Sequence, residues 1–152
     1  MRLHAFLILL AMTGVIVAPA DARTDDLGGT AWRLLNITSM DDTIDVPDEP
    51  GKYTLEFEAG GRAAIRADCN RGSGSWTSAG PGQLLFGPIA ATRAMCPPVS
   101  LFEKYLAQFQ WVRSYVMKDG HLFLATMADG SIIEFEPRSE ERRVGKECPS
   151  PV

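Results

Sequence analysis

Tyr53-Thr54-Leu55-Glu56-Phe57-Glu58-Ala59-Gly60-Gly61-Arg62-Ala63-Ala64-Ile65-Arg66-Ala67-Asp68-Cys69 carries the clearest signal of fold class in this 152-residue chain. Tyr53, Leu55 and Phe57 alternate with Thr54, Glu56 and Glu58. That period of two describes a strand with one apolar and one wet face. Gly60-Gly61 then supplies a hairpin turn, since glycine takes positive φ without steric cost. The return strand sets Ala63, Ile65, Ala67 and Cys69 on one side and Arg62, Ala64, Arg66 and Asp68 on the other.

Further strands follow on either side of this hairpin. Upstream, Gly28-Gly29-Thr30 introduces an opening strand over Ala31–Ile37. Downstream, Arg71-Gly72-Ser73-Gly74-Ser75 reads as a turn or bulge, and Leu84-Leu85-Phe86 as a short strand stopped by Gly87-Pro88. Near the C-terminus, two Asp-Gly pairs, Asp119-Gly120 and Asp129-Gly130, separate apolar runs. Asp-Gly between such runs is a hairpin signal, because both central residues take positive φ, and a three-strand meander is expected. A single helix is predicted at about 100–110. Ser100 and Glu103 have the spacing of a capping box, and Phe102, Tyr105, Leu106 and Phe109 form one apolar stripe, read as core packing. The expected architecture is mostly β, with seven or so short strands. They would form a small antiparallel barrel or curved sheet with the helix closing one end.

Both ends differ from this middle. Residues 1–22 read as a signal peptide. A basic start precedes an uncharged run from Ala5 to Val17, and small residues at Ala20 and Ala22 mark the cut. The run is too short to cross a bilayer. The mature product is therefore expected to be soluble and periplasmic or secreted, with no membrane span. Residues 138–152 are densely charged, continue no alternation and are expected to be disordered. Ser139–Cys148 resembles a translated vector remnant rather than native sequence. The intervening domain, 23–137, has 10 Lys+Arg and 15 Asp+Glu, a charge of 10 − 15 = −5. That balance argues against nucleic acid or an anionic membrane as partner.

Few residues point to chemistry. Two histidines in the chain exclude a His-rich metal site. The acidic Met40–Pro50 segment lacks a calcium-loop frame and reads as a solvated loop. No phosphate loop, dinucleotide fingerprint or nucleophile elbow is present, so no cofactor and no metal are expected. Glu56 and Glu58, like Glu134 and Glu136, share the wet face of a strand and read as ordinary solvation. With Cys148 set aside, Cys69 and Cys96 form one pair. A bridge between them would close a loop of about 28 residues and stabilise by roughly 3.5 kcal/mol. Two free thiols, or a catalytic Cys96 served by His121, are the other readings; the oxidising compartment favours the bridge.

Read together, several elements resemble the META domain family, which includes heat-inducible envelope proteins. They are Leu27-Gly28-Gly29-Thr30-Ala31-Trp32, Asp68-Cys69-Asn70-Arg71-Gly72, Thr92-Arg93-Ala94-Met95-Cys96-Pro97 and Ile133-Glu134-Phe135. The similarity runs from about Asp26 to Glu136. It implies a lipocalin-like barrel in the cell envelope, loosely tied to stress tolerance, motility and secretion, with no catalytic residues to carry over. Trp32, Asn70, Thr92, Met95 and Pro97 are read as scaffold positions, Asn70 as a turn residue with local side-chain bonds. The expected function is non-enzymatic: an envelope stress protein or a binding module, monomeric, for another envelope protein or a small apolar ligand. The rivals are a thiol or hydrolytic enzyme using Cys96 and His121, which must then lie within hydrogen-bond reach, and a barrel carrying a ligand inside. A barrel filled by Phe57, Ile65, Leu124 and Phe135 would exclude an internal ligand.

Overall fold

The computed structural model describes residues 27–139. The predicted signal peptide, residues 1–22, and the charged tail from Glu140 onward lie outside the described residues. Ten strands and one α-helix follow in order: β1 (Thr30–Ser39), β2 (Ile44–Asp45), β3 (Tyr53–Glu58), β4 (Arg62–Ala67), β5 (Asn70–Thr77), β6 (Leu85–Phe86), β7 (Ala90–Ala91), α1 (Phe102–Phe109), β8 (Val112–Lys118), β9 (His121–Thr126) and β10 (Ser131–Pro137).

All pairings are antiparallel, in the order β6-β5-β4-β3-β1-β10-β9-β8. The segment entering β6 then meets β8: Leu84 donates its N–H to the Arg113 carbonyl (3.2 Å) and Tyr115 its N–H to the Gly82 carbonyl (2.9 Å). These bonds nearly close the sheet into a barrel and satisfy backbone groups that an open edge would expose. Alternation selects the inner face. Tyr53, Leu55 and Phe57 on β3 point inward with Ala63, Ile65 and Ala67 on β4, Leu122 and Leu124 on β9, and Ile133 and Phe135 on β10. On β1 the inward set changes phase, from Trp32 and Leu34 to Ile37, because a bulge falls between Leu34 and Asn36.

Helix α1 covers one end of the barrel and drives Tyr105 and Phe109 into it. Edge-on ring contacts link Tyr53 to Tyr105 (5.7 Å), Tyr105 to Phe109 (5.1 Å) and Phe109 to Phe86 (5.0 Å). Such pairs prefer this edge-to-face geometry, so the rings orient the helix as well as burying area. Lys104 on the outer side of α1 pairs with Asp45 of β2.

Several expectations change. Arg71–Ser75 is no turn but the middle of β5, paired with Arg62–Arg66 of β4. Its glycines serve close approach: a Cβ on Gly74 would stand 2.9 Å from the Pro88 carbonyl oxygen and one on Gly72 3.1 Å from Ile89 Cγ2. The chain at 88–91 lies on β5, and only glycine leaves it room. The capping box does not form. Ser100 Oγ accepts the Phe102 N–H at 3.2 Å, and the phenol oxygen of Tyr53 accepts the Leu101 N–H at 2.9 Å. Leu101 precedes the first helical residue and its side chain makes no cap. Asp119 and Gly120 both have positive φ, 53° and 78°, as a two-residue hairpin demands. At the second Asp-Gly the left-handed residue is Ala128 (φ 55°), while Gly130 is right-handed at φ −64°. The acidic segment is partly ordered, with Ile44 and Asp45 pairing Thr38 and Ile37. At the other end, the Arg138 N–H reaches the Ala31 carbonyl at 2.9 Å, extending the ladder one residue past β10.

Candidate functional site

Among the described residues, large side chains fill the barrel interior. Phe57, Ile65, Leu124 and Phe135 are 1%, 3%, 0% and 0% exposed and belong to one continuous core. The internal-carrier reading is therefore overturned by side-chain size: large aliphatic and aromatic residues from facing strands meet at the axis.

Cys69 sits in the β4–β5 turn, and Cys96 lies in the loop before α1. Their sulfurs are bonded, with Cα atoms 5.6 Å apart. Asn70, fully buried, organises the same region. Its Oδ1 accepts from Thr92 Oγ1 (2.8 Å) and the Ala94 N–H (2.7 Å), and its Nδ2 donates to the Ala94 carbonyl (3.0 Å) and Cys96 Sγ (3.1 Å). Thr92 Oγ1 in turn accepts the Arg71 N–H at 3.0 Å. These bonds reach 22 to 26 residues along the chain, so Asn70 is a long-range clamp rather than the local turn residue expected. Trp32 packs in the core and donates its indole N–H to Thr30 Oγ1 at 2.7 Å. The Pro97 carbonyl accepts the Ser100 N–H at 3.0 Å in the turn into the helix. Met95 stands out from these positions in that its side chain is 99% exposed.

The residues of the thiol-enzyme alternative have different partners. The Cys96 sulfur is held in the bridge, and His121 Nδ1 lies 2.8 Å from Glu134 Oε1 on the neighbouring strand. Glu134 also accepts from Asn36 Nδ2 at 2.8 Å. These two hydrogen bonds, that of His121 first, hold its carboxyl below the ordinary value. The reading of Glu134 as merely solvated gives way to a cross-strand network over β1, β10 and β9. Sequence showed the alternation but not the register that places His121 beside Glu134.

A concave surface on the outside of the barrel combines apolar and polar lining. A groove of about 760 Å³ runs between α1 and the 86–93 segment. Phe86 and Ile89 face Phe102 and Leu106 across it, with Arg93, Glu103 and Gln110 also on its walls. Phe102 and Leu106 belong to the predicted apolar stripe, but only half of that stripe is fully buried: Tyr105 and Phe109 enter the barrel. The contribution of Ile89 and Arg93 has no sequence signal, because their segment has no periodicity.

These features define a class: a filled, disulfide-bridged β-barrel with a helix across one end and its concave surface outside. Residues 25–140 match the META domain, and the chain belongs to the META domain family. No curated protein matches. Two solved structures share the fold. One is the NMR structure of a protein from Burkholderia xenovorans, with TM-score 0.63 and 24% identity, covering 87% of this chain and 99% of that one. The other is a crystal structure of a DUF4847 family protein from Bacteroides vulgatus, with TM-score 0.56 and 12% identity, covering 73% and 94%. No helix among the described residues is long and apolar enough to cross a membrane.

Proposed function

We propose that this META-domain chain is an exported, non-catalytic envelope protein that acts by binding, with the groove along α1 as its binding surface. The observation that carries this reading is the pairing of a filled interior with an external groove that sets Phe86, Ile89, Phe102 and Leu106 beside charged and polar groups. Its volume falls in the range of small-ligand sites, roughly 300–1,000 Å³. The occupant we assign is a small amphipathic molecule with an anionic end. Its apolar body would lie on Phe86, Ile89, Phe102 and Leu106, and its charge would meet Arg93, which makes no ion pair among the described residues. The bridge supports an oxidising compartment. In the envelope, a role in stress tolerance would follow from what the groove captures.

Decanoate is a suitable probe. Titrated into labelled protein, it should shift the resonances of Ile89, Phe102 and Leu106 while leaving those of Leu124 and Phe135 in place. Leu106→Arg should abolish the effect, and Arg93→Gln should weaken it roughly fivefold, the loss of one exposed charge contact. Perturbation centred on the barrel interior, or none at millimolar probe, overturns the assignment.

A further inference from the structure

The domain is acidic, yet one part of its outer surface gathers arginines. Strand register explains how. On the outward face, Arg71 of β5 stands opposite Arg66 of β4, Arg66 opposite Thr54 of β3, Thr54 opposite Arg33 of β1, and Arg33 opposite Glu136 of β10. The adjacent row places Ser73, Ala64, Glu56 and Ala31 side by side. The Arg138 N–H bonds to the Ala31 carbonyl, which brings a further guanidinium to the end of that row.

Two of the four arginines are compensated. Arg33 pairs with Glu136 and Arg138 with Glu56. Arg66 and Arg71 have no carboxylate partner among the described residues. Arg66 Nε makes only a long contact, 3.4 Å, to the Asp68 main-chain carbonyl. The Arg71 main chain bonds Thr92, but its guanidinium makes no hydrogen bond or ion pair among the described residues. Like charges directly opposite on paired strands repel and destabilise a sheet. Between them lies a depression of about 420 Å³ lined by Thr54, Glu56, Ala64, Arg66, Arg71 and Arg138. The small side chain of Ala64 keeps its floor low, and Glu56, its one carboxylate, is neutralised by Arg138.

We propose that this depression binds a phosphate-type oxyanion, clamped between the guanidinium groups of Arg66 and Arg71 with Arg138 at its edge. Planar guanidinium forks on facing strands match the oxygens of a tetrahedral anion. Two uncompensated positive charges suit a dianion better than a single carboxylate. Binding also removes the cross-strand repulsion, so the anion stabilises the fold. The site shares no residue with the α1 groove and stands or falls independently of it.

The test uses the full chain, with inorganic phosphate as probe at constant ionic strength and chloride as control. Phosphate should raise the Tm of the wild-type protein saturably, and chloride should not. The double variant Arg66→Gln/Arg71→Gln should start from a higher Tm without phosphate, because the repulsion is gone. It should bind phosphate at least about tenfold more weakly, the scale of losing charge-assisted bonds. An undiminished phosphate response in the double variant, or an equal response to chloride, overturns the proposal. Co-sedimentation with vesicles of phosphatidic acid in phosphatidylcholine, against phosphatidylcholine alone, then identifies the source. Binding competed by phosphate supports a lipid headgroup in the clamp; phosphate binding without vesicle binding supports a soluble phosphate ester there.

Discussion

Asn70 shows how much one buried amide can organise. Every polar atom of its side chain is engaged, and its partners at Thr92, Ala94 and Cys96 belong to a loop with little apolar contact of its own. Asn70→Ala leaves the Ala94 N–H and carbonyl without these bonds, and a loss of about 2 kcal/mol is expected. Urea denaturation should show it as a lower midpoint at unchanged slope. Tyr105 presents the opposite case. Its hydroxyl is buried with no hydrogen-bond partner among the described residues, and burial pushes the phenol well above its ordinary value. Its ring, by contrast, is packed on two sides by Tyr53 and Phe109. Tyr105→Phe keeps the ring and removes the unsatisfied group, so the variant should equal or exceed the wild type by up to about 1 kcal/mol. A marked drop in Tm would show that the hydroxyl has a partner.

Among the elements, β9, β10 and β1 are joined on their outer face by His121, Glu134 and Asn36. The Glu134 carboxyl is held below its unfolded value of about 4.5. A depressed folded value means that the contribution is present above that unfolded value and fades as pH falls through the folded one. Glu134→Gln should therefore destabilise at neutral pH by no more than about 1 kcal/mol, the scale of a surface ion pair screened by solvent. The gap from wild type should narrow as pH falls through the depressed folded value and close below it, where the carboxylate is protonated in both states. Parallel thermal melts across that range test it, and a gap independent of pH would argue against the ionised carboxylate as its source. Helix α1 divides its labour by face: Tyr105 and Phe109 fill the barrel end, while Phe102 and Leu106 remain at the groove wall.

For the molecule as a whole, the nearly closed sheet and the bridge act on different parts. The sheet carries the core, and the bridge ties the loop before α1 back to the β4–β5 turn across 27 residues. Replacing both cysteines by serine should cost roughly 3.5 kcal/mol yet leave the strand pairings intact. Circular dichroism should keep its β signature while the denaturation midpoint falls. Under native, non-reducing conditions Cys69 and Cys96 should resist alkylation; rapid labelling of either would revive the thiol-enzyme reading.

The β class, the first hairpin, the C-terminal meander and the single helix were legible in the sequence. They rest on local physics: period-two alternation, glycine at positive φ and an apolar stripe at helical spacing. The glycine-rich run of β5 was misread because glycine marks close approach as readily as a turn, and the crossing segment at 88–91 has no local signature. The two cysteines could be paired from compartment and count, but the Asn70 clamp could not, since its partners lie more than twenty residues away. Register has the same character. Whether Arg66 faces Arg71, or His121 faces Glu134, depends on how strands align across the sheet. That alignment is set by the whole core packing at once, because a one-residue slip would turn every inward side chain outward.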